Sequence, residues 1–457
     1  MLLALKEAGM SVARLNGSHA DLEWHRKVIA EIRKTIPGVP ILLDIPGRKI
    51  RTIQLSHEPK FDRGDQLVLT TDTQHDGTKK VPVNYANLHN NLNSGDIILA
   101  DDGTLKFSVE KVEGSDIHVV AETAGCLRSR KGINVPYVKL DTPQVTPRDK
   151  EMIAFAKETG VDFIGLSFVE SAEHVEVFRN MIGDTSPRII AKVENQGGIE
   201  KVEEIAKAAD ALMIDRGDLS VETSLRSVAI MQKNIIKAAS QYSRPVIVAT
   251  EMLHTMINNP YPTKAEVSDI TNAVLDGCTA TMLSGETAVG DFPLETVQVM
   301  RELVDAADEH VQTSLNAGVK AQDDNVAEAF SEVIPRLART LPITKLVAVT
   351  RFGHAARMIA AHCPQQPILA VSDDVAAARS FNFIAGTMGV HMDTPFPRTS
   401  GDHIIEVLHL LWERGHLADE DLVLITGVLY PHAGARMNTI QMHGIGDLSK
   451  IFGWTKN

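Results

Sequence analysis

Cysteine is scarce: Cys126, Cys278 and Cys363 are the only three in 457 residues, widely separated and odd in number. Neither a disulfide framework nor a cysteine zinc site fits that pattern, and free thiols in a reducing cytoplasm do. Positive charge is in deficit. A net charge of −13 and a pI near 5.7 leave no general basic footprint for a nucleic-acid backbone, although a local cluster of cations still suits a small anionic substrate. No apolar run reaches the roughly 18 residues that a bilayer span needs, so no membrane partner is expected. Met1–Gly9 places five apolar residues before Lys6 and reads as a helix closed by glycine rather than as a signal peptide. Internal repeats and low-complexity tracts are lacking too.

At 44% hydrophobic and 23% charged residues the composition is that of a globular protein, and the length suggests two or three domains. The most informative stretch is Arg188-Ile-Ile-Ala-Lys-Val-Glu-Asn-Gln-Gly-Gly-Ile199, read with Ala211-Leu-Met-Ile-Asp-Arg-Gly-Asp-Leu-Ser220. Each is an apolar run of strand length ending in charges and glycine, with a helix-like segment (Glu200 to Ala209) between, so the pair reads as a βαβ unit. Lys192 and Glu194 are two apart and share a face. In a parallel barrel the C-terminal strand ends form the active-site mouth, so Lys192, Glu194, Arg216 and Asp218 are expected to converge there. A lysine beside two carboxylates suits a divalent metal with a cation for an anionic substrate; it equally suits an ion-paired strand end.

In chain order, residues 1–52 alternate helix and strand, with strands at Ser11 to Leu15 and Pro40 to Asp44, each followed by a polar cluster. Residues 53–137 change to short β pieces with turn signals at Asp101-Asp-Gly103 and Glu113-Gly-Ser115, the mark of a small antiparallel domain inserted as a lid. Over 138–313 the βα alternation resumes with strands at Phe163 to Phe168, Ile189 to Val193, Ala211 to Ile214, Pro245 to Ala249 and Ala280 to Leu283. That gives seven parallel strands, where an eight-stranded barrel needs one more. A polar linker is expected at 314–325, followed by a doubly wound α/β domain at 326–457 with strands at Lys345 to Thr350, Pro367 to Val371 and Asp421 to Thr426.

Taken together, Arg14-Leu-Asn-Gly-Ser-His19, Asp44 to Arg51, Ser129-Arg-Lys-Gly-Ile-Asn-Val-Pro136, Ala191-Lys-Val-Glu-Asn195, Arg216-Gly-Asp-Leu219, Ala249-Thr-Glu-Met-Leu253, Pro262 to Asp269 and Met282-Leu-Ser-Gly-Glu-Thr287 resemble the pyruvate kinase family in order and spacing. The resemblance implies an α/β fold: a TIM-type (β/α)8 barrel, an inserted β lid and a C-terminal α/β domain. It also implies phosphoryl transfer from phosphoenolpyruvate to ADP, giving pyruvate and ATP, by a cytoplasmic homotetramer. By the same likeness Glu194 and Asp218 would hold Mg²⁺ or Mn²⁺. Lys192 would stabilise the phosphoryl group in flight and the enolate left behind. Thr250 would serve the substrate carboxylate and the proton that completes pyruvate, with Gly217 and Asp218 lining the same subsite. Arg14 and Arg51 fit as phosphate clamps, and Asn16, His19, Arg51 and Lys131 correspond to nucleotide-side positions. Ser284-Gly-Glu286 reads as a tight turn with structural ion pairing.

Four departures set this chain apart. The family's monovalent-cation region matches Asn16, Ser18, Asp44 and Ile45, and isoleucine offers no hydroxyl where the family has threonine. Lys49 replaces a family glutamate, so a fixed ammonium is expected in place of K⁺. Asp215 and Ser220 flank the Arg216–Leu219 motif, and the extra charge of Asp215 needs an offset from Arg216 or a metal. Thr350-Arg-Phe-Gly-His-Ala-Ala356 carries few hydroxyls for a sugar bisphosphate effector. Finally, the sequence opens at a helix where the family opens at a barrel strand, so the first strand is expected to be missing. Two other activities share these residues: a metal-enolate barrel lyase or aldolase acting on an oxo-acid, and a silent paralogue that binds phosphoenolpyruvate.

Overall fold

The structure, a computed structural model, describes residues 1–457 except 102, 137, 139, 141–143, 184–185, 315–325, 397–402, 429–436 and 456–457. The expected linker falls at 315–325, outside the described residues. Among the described residues, seven strands form one parallel sheet in sequential order: β1 (Ala13–Asn16), β2 (Ile41–Ile45), β3 (Phe163–Leu166), β4 (Arg188–Val193), β5 (Ala211–Asp215), β6 (Val246–Ala249) and β7 (Ala280–Met282). β1 and β7 are its two edges, in keeping with the count of seven strands.

Alternation along these strands sorts the two cores. Ile41, Leu43 and Ile45 of β2, Ile189, Ala191 and Val193 of β4, and Leu212 and Ile214 of β5 face outward into the layer shared with the helices. Leu42, Ile190, Ala211 and Met213 face inward, where they meet Phe163, Ile247, Ala249 and Met282. The next inward positions toward the C-terminal ends are Asp44, Lys192 and Asp215, so the same period that fills the barrel with apolar groups ends it in charge. The register sets Asp44 level with Asn16 and with Gly165. A side chain at Gly165 would bring its Cβ to 1.9 Å from Asp44 Oδ1, so glycine there is what lets the Asp44 carboxylate turn inward.

Two of the surrounding helices start where their sequences prescribe. Thr146 and Asp149 form a capping box with Pro147 in the first turn, and Thr263 and Glu266 form another. The segment expected as one helix from Glu200 to Ala209 is two, Gln196–Glu200 and Val202–Ala208. Asn195 accounts for the early start: its side chain caps Gly198 N–H at 2.9 Å.

The inserted domain holds a seven-stranded sheet in the order Ile50–Arg51, Gly132–Asn134, Ile97–Ala100, Leu105–Glu113, Asp116–Ala121, Gln66–Thr70 and Val81–Pro82. Its pairs are antiparallel except Gln66–Thr70 with Val81–Pro82, which is parallel, and it packs its own core around Phe107, Ile98 and Ile117. The C-terminal sheet has five strands, β8 (Lys345–Val349), β9 (Ile368–Ser372), β10 (Thr387–His391), β11 (Leu422–Gly427) and β12 (Thr439–Gly444), with apolar clusters on both faces. This domain plugs the barrel floor. Phe383 sits among Leu42, Ile190 and Met213, with its ring 5.2 Å from that of Phe163, while Arg379 Nε reaches buried Asp162 at 2.9 Å.

Candidate active site

Four carboxylates and three cations meet at the C-terminal ends of the barrel strands. Lys192 Nζ, on β4, lies 2.6 Å from Glu194 Oε1, 3.2 Å from Asp215 Oδ2 and 3.8 Å from Asp44 Oδ2, and 3.3 Å from Ser167 Oγ. Burial alone would lower its pKa, yet Glu194, Asp44 and Asp215 together hold the ammonium well above its ordinary value. Glu194 is raised by burial above all, against the pull of Lys192, and Asp215 and Asp218 push the same way. Asp215 is equally buried but is lowered, because Lys192, Arg14 and Lys49 outweigh its desolvation. Arg14 donates from Nε to Asp44 Oδ2 at 3.0 Å, and despite its burial that carboxylate keeps its pKa raised. Lys49 closes the ring with an ion pair to Asp218.

Oxygens of Glu194, Asp215 and Asp218 come within 4.8 Å of one another. Glu194 Oε2 accepts Phe168 N–H at 2.7 Å, and its buried Oε1 faces Lys192 Nζ at 2.6 Å. An oxygen-only donor set of three carboxylates this close together fits a hard divalent cation. Asp215 adds a third carboxylate beside the pair read in the sequence. Its charge is offset by Lys192 from the neighbouring strand, not by Arg216.

Arg216 does not join the node. Its guanidinium turns to helix Lys264–Leu275, pairing with Asp269 at 2.6 and 2.8 Å, and donates to Thr250 O at 2.8 Å. A helix begins at Arg216, and successive helical residues point about 100° apart, so Arg216 and Asp218 part company. What Arg216 braces is a turn with φ of 69° at Thr250 and 54° at Glu251, a conformation that non-glycine residues adopt at a cost. Thr250 Oγ1 accepts Gly217 N–H at 2.9 Å and donates to Ala249 O at 2.6 Å, which brings Thr250 and Gly217 together beside Asp215.

The remaining expected site residues lie around this node. Asn16 follows Arg14 on β1, and its Oδ1 accepts Ser18 N–H at 3.0 Å; exposed His19 gives its carbonyl to His25 Nε2 at 2.9 Å. The Ile45 side chain faces outward into the helix layer, away from the charged node. Arg51 and Lys131 stay within the lid: Arg51 donates to Arg130 O at 3.3 Å, and Lys131 pairs with Asp101 at 2.6 Å. Among the described residues, helix Arg216–Glu222 meets the loop that enters the lid through Lys49 on Asp218, and meets the lid through Asn134 Nδ2, which donates to Glu222 Oε1 at 2.6 Å. Burial drives Glu222 up to about 7 in spite of that bond. Glu286 accepts Ser284 N–H at 2.8 Å and Leu253 N–H at 3.3 Å, a turn held by its own carboxylate.

Barrel, lid and charged node together define a lidded-barrel protein with a buried ionic site at its strand ends. The family model described as pyruvate kinase, barrel domain, matches residues 1–297, and that described as pyruvate kinase, alpha/beta domain, matches residues 328–443. Curated proteins named pyruvate kinase align along nearly all of the sequence. That of Bacillus licheniformis is 35% identical over 460 residues, covering 98% of this chain and 78% of the relative. The Geobacillus stearothermophilus protein is 36% identical over 461 residues with the same coverage. The Thermococcus litoralis protein is 37% identical over 434 residues, 92% of this chain and 90% of the relative. The chain belongs to the pyruvate kinase family.

Proposed function

We infer that the chain transfers the phosphoryl group of phosphoenolpyruvate to ADP, giving pyruvate and ATP. The observation that carries this reading is a buried lysine, Lys192, set among carboxylates that also suit a divalent metal. Glu194, Asp218 and, in addition, Asp215 would hold Mg²⁺ or Mn²⁺. Such a cation, when bound, neutralises charge on the phosphoryl and enolate oxygens.

Lys192 presents a fixed positive charge to the phosphoryl group and then to the enolate oxygen, in a site already organised around charge. Arg14, which shares the Asp44 carboxylate with Lys192, clamps a phosphoryl oxygen. The Gly217 amide and the Thr250 hydroxyl, 2.9 Å apart, receive the substrate carboxylate, and Thr250 lies on the route of the proton that turns enolpyruvate into pyruvate. Asn16, His19, Arg51 and Lys131 serve the nucleotide, the last two brought up by the lid. Lys49 takes the place of a monovalent cation, so K⁺ is not required. We assign 1–52 and 138–313 to the barrel, with Ile50–Arg51 at its margin pairing into the lid sheet, 53–137 to the lid, 314–325 to the linker and 326–457 to the C-terminal domain, in a cytoplasmic homotetramer.

The reading is tested by ³¹P NMR of a mixture with phosphoenolpyruvate, ADP and Mg²⁺. The phosphoenolpyruvate resonance should fall as the γ-phosphate of ATP rises in equal amount. Loss of phosphoenolpyruvate to inorganic phosphate without ATP would contradict it.

A further inference from the structure

The loop that leaves β2 for the lid carries two cations in succession, and the chemistry above uses one of them. Lys49 reaches across to Asp218. Arg48 points the other way: its Nη2 lies 3.2 Å from Phe168 O and 3.2 Å from Glu170 Oε2, and its side chain is only 9% exposed.

The turn it grips is a costly one. Phe168 has a φ of 55°, where a bulky residue sits only if its surroundings hold it. What the turn delivers is an amide: Phe168 N–H donates to Glu194 Oε2 at 2.7 Å. Glu170 works on the other flank, accepting Asn195 Nδ2 at 3.1 Å, and Asn195 both follows Glu194 in the chain and caps the next helix through Gly198 N–H. Arg48 thus touches both structures that orient Glu194. Its third side faces His174, whose Nε2 donates to Gln144 O at 2.9 Å.

We propose that Arg48 is a positioning residue for the divalent-cation site: by clamping the Phe168–Glu170 turn it fixes the Glu194 carboxylate, and so sets the affinity for metal without supplying a ligand atom. Outer contacts of this kind typically govern affinity by 10–100-fold. Since Arg48 acts through one further residue, the lower end of that range is expected. The neighbouring Lys49 makes the same short loop span two of the proposed ligands, so the loop that leads into the lid and the metal site are tied together by adjacent residues. The inference rests on reading Glu194, Asp215 and Asp218 as metal ligands.

The test is Mn²⁺ binding to the full chain without substrates, followed by the electron paramagnetic resonance signal of free Mn²⁺. Wild type, Arg48→Met, Arg48→Lys and Glu170→Gln are compared, each shown to be folded by its thermal transition. Arg48→Met should raise the Mn²⁺ Kd about tenfold, with Arg48→Lys and Glu170→Gln in between. At saturating Mn²⁺, kcat should stay within about twofold of wild type. A Kd unchanged in Arg48→Met while wild type binds Mn²⁺ overturns the role of Arg48 and leaves the metal reading standing. A kcat that falls tenfold at saturating metal with Kd unchanged also overturns it. Wild type that binds no Mn²⁺ overturns both.

Discussion

Replacing Lys49 with alanine should create a requirement for K⁺ that the wild type, on the proposed role of Lys49, does not have. Lys49 pairs with Asp218, and the two side chains are only 14% and 17% exposed, so the pair is shielded well enough to matter. Two unit charges about 4 Å apart at an effective dielectric of about 20 attract by about 4 kcal/mol. Desolvation offsets part of that, and a charge-assisted hydrogen bond nets about 1.5–3 kcal/mol. Removing the ammonium also leaves Asp218 beside Glu194 and Asp215 with one cation fewer. Lys49→Ala should therefore lower kcat/KM for phosphoenolpyruvate about 10- to 150-fold in K⁺-free buffer. Added K⁺ should restore much of the loss, while wild type stays flat. The assay is initial rate against KCl, with tetramethylammonium chloride holding ionic strength constant. A steep rise of the wild-type rate with K⁺, or a Lys49→Ala enzyme that keeps full activity without it, would refute the reasoning.

Three further outcomes follow from contacts already described. His174 is pushed down from 6.5 to about 4, by burial first and by the charge of Arg48 second. Its folded pKa is below its unfolded one, so between pH 6.5 and about 4 the unfolded chain takes up a proton that the folded chain refuses, and stability falls as pH falls through that window. The loss amounts to about 3 kcal/mol at about 1.4 kcal/mol per pH unit. In His174→Gln, urea midpoints between pH 6.5 and 4 should flatten, and an unchanged slope would reject this account. Phe383→Ala should empty the barrel floor and cost about 3–5 kcal/mol, seen as a lower Tm; a shift under about 1 °C would mean the ring carries little. Arg216→Lys keeps the charge but loses the fork that holds Asp269 and Thr250 O together. It should lower kcat more than it raises KM for phosphoenolpyruvate, and the opposite split would make Arg216 a binding residue.

Much of the site was legible because strand alternation is local. Two-residue spacing set Lys192 and Glu194 on one face, and the inward layer of the barrel bears that out. Partnership between strands was not legible. Asp215 read as an unexplained charge because its counter-ion, Lys192, arrives through the register of β4 against β5. Arg216 read as a site residue because it is a charge at the C-terminal end of a strand, and a helical start turns its side chain away. In the C-terminal domain, β10 and β12 escaped notice, as did helices Val375–Phe381 and Ile445–Phe452. β10 is interrupted by Gly389, which weakens the strand pattern, yet a Cβ there would fall 1.7 Å from Ala378 O. The packing that demands the glycine is invisible in a linear pattern. Two-residue lid strands such as Ile50–Arg51 and Val81–Pro82 carry too little periodicity to read at all.

The central claim is that Lys192 is the charge that makes phosphoryl transfer possible here, and it is tested most directly by pyruvate formation coupled to lactate dehydrogenase, in wild type and Lys192→Met, at saturating Mg²⁺ without K⁺. Wild type should turn over, and Lys192→Met should lose about 10²–10³-fold in kcat, with Mn²⁺ bound at least as tightly because an ammonium 2.6 Å from Glu194 no longer competes for the carboxylate. Full turnover by Lys192→Met, or no pyruvate from a folded, metal-binding wild type in any salt, would contradict the account.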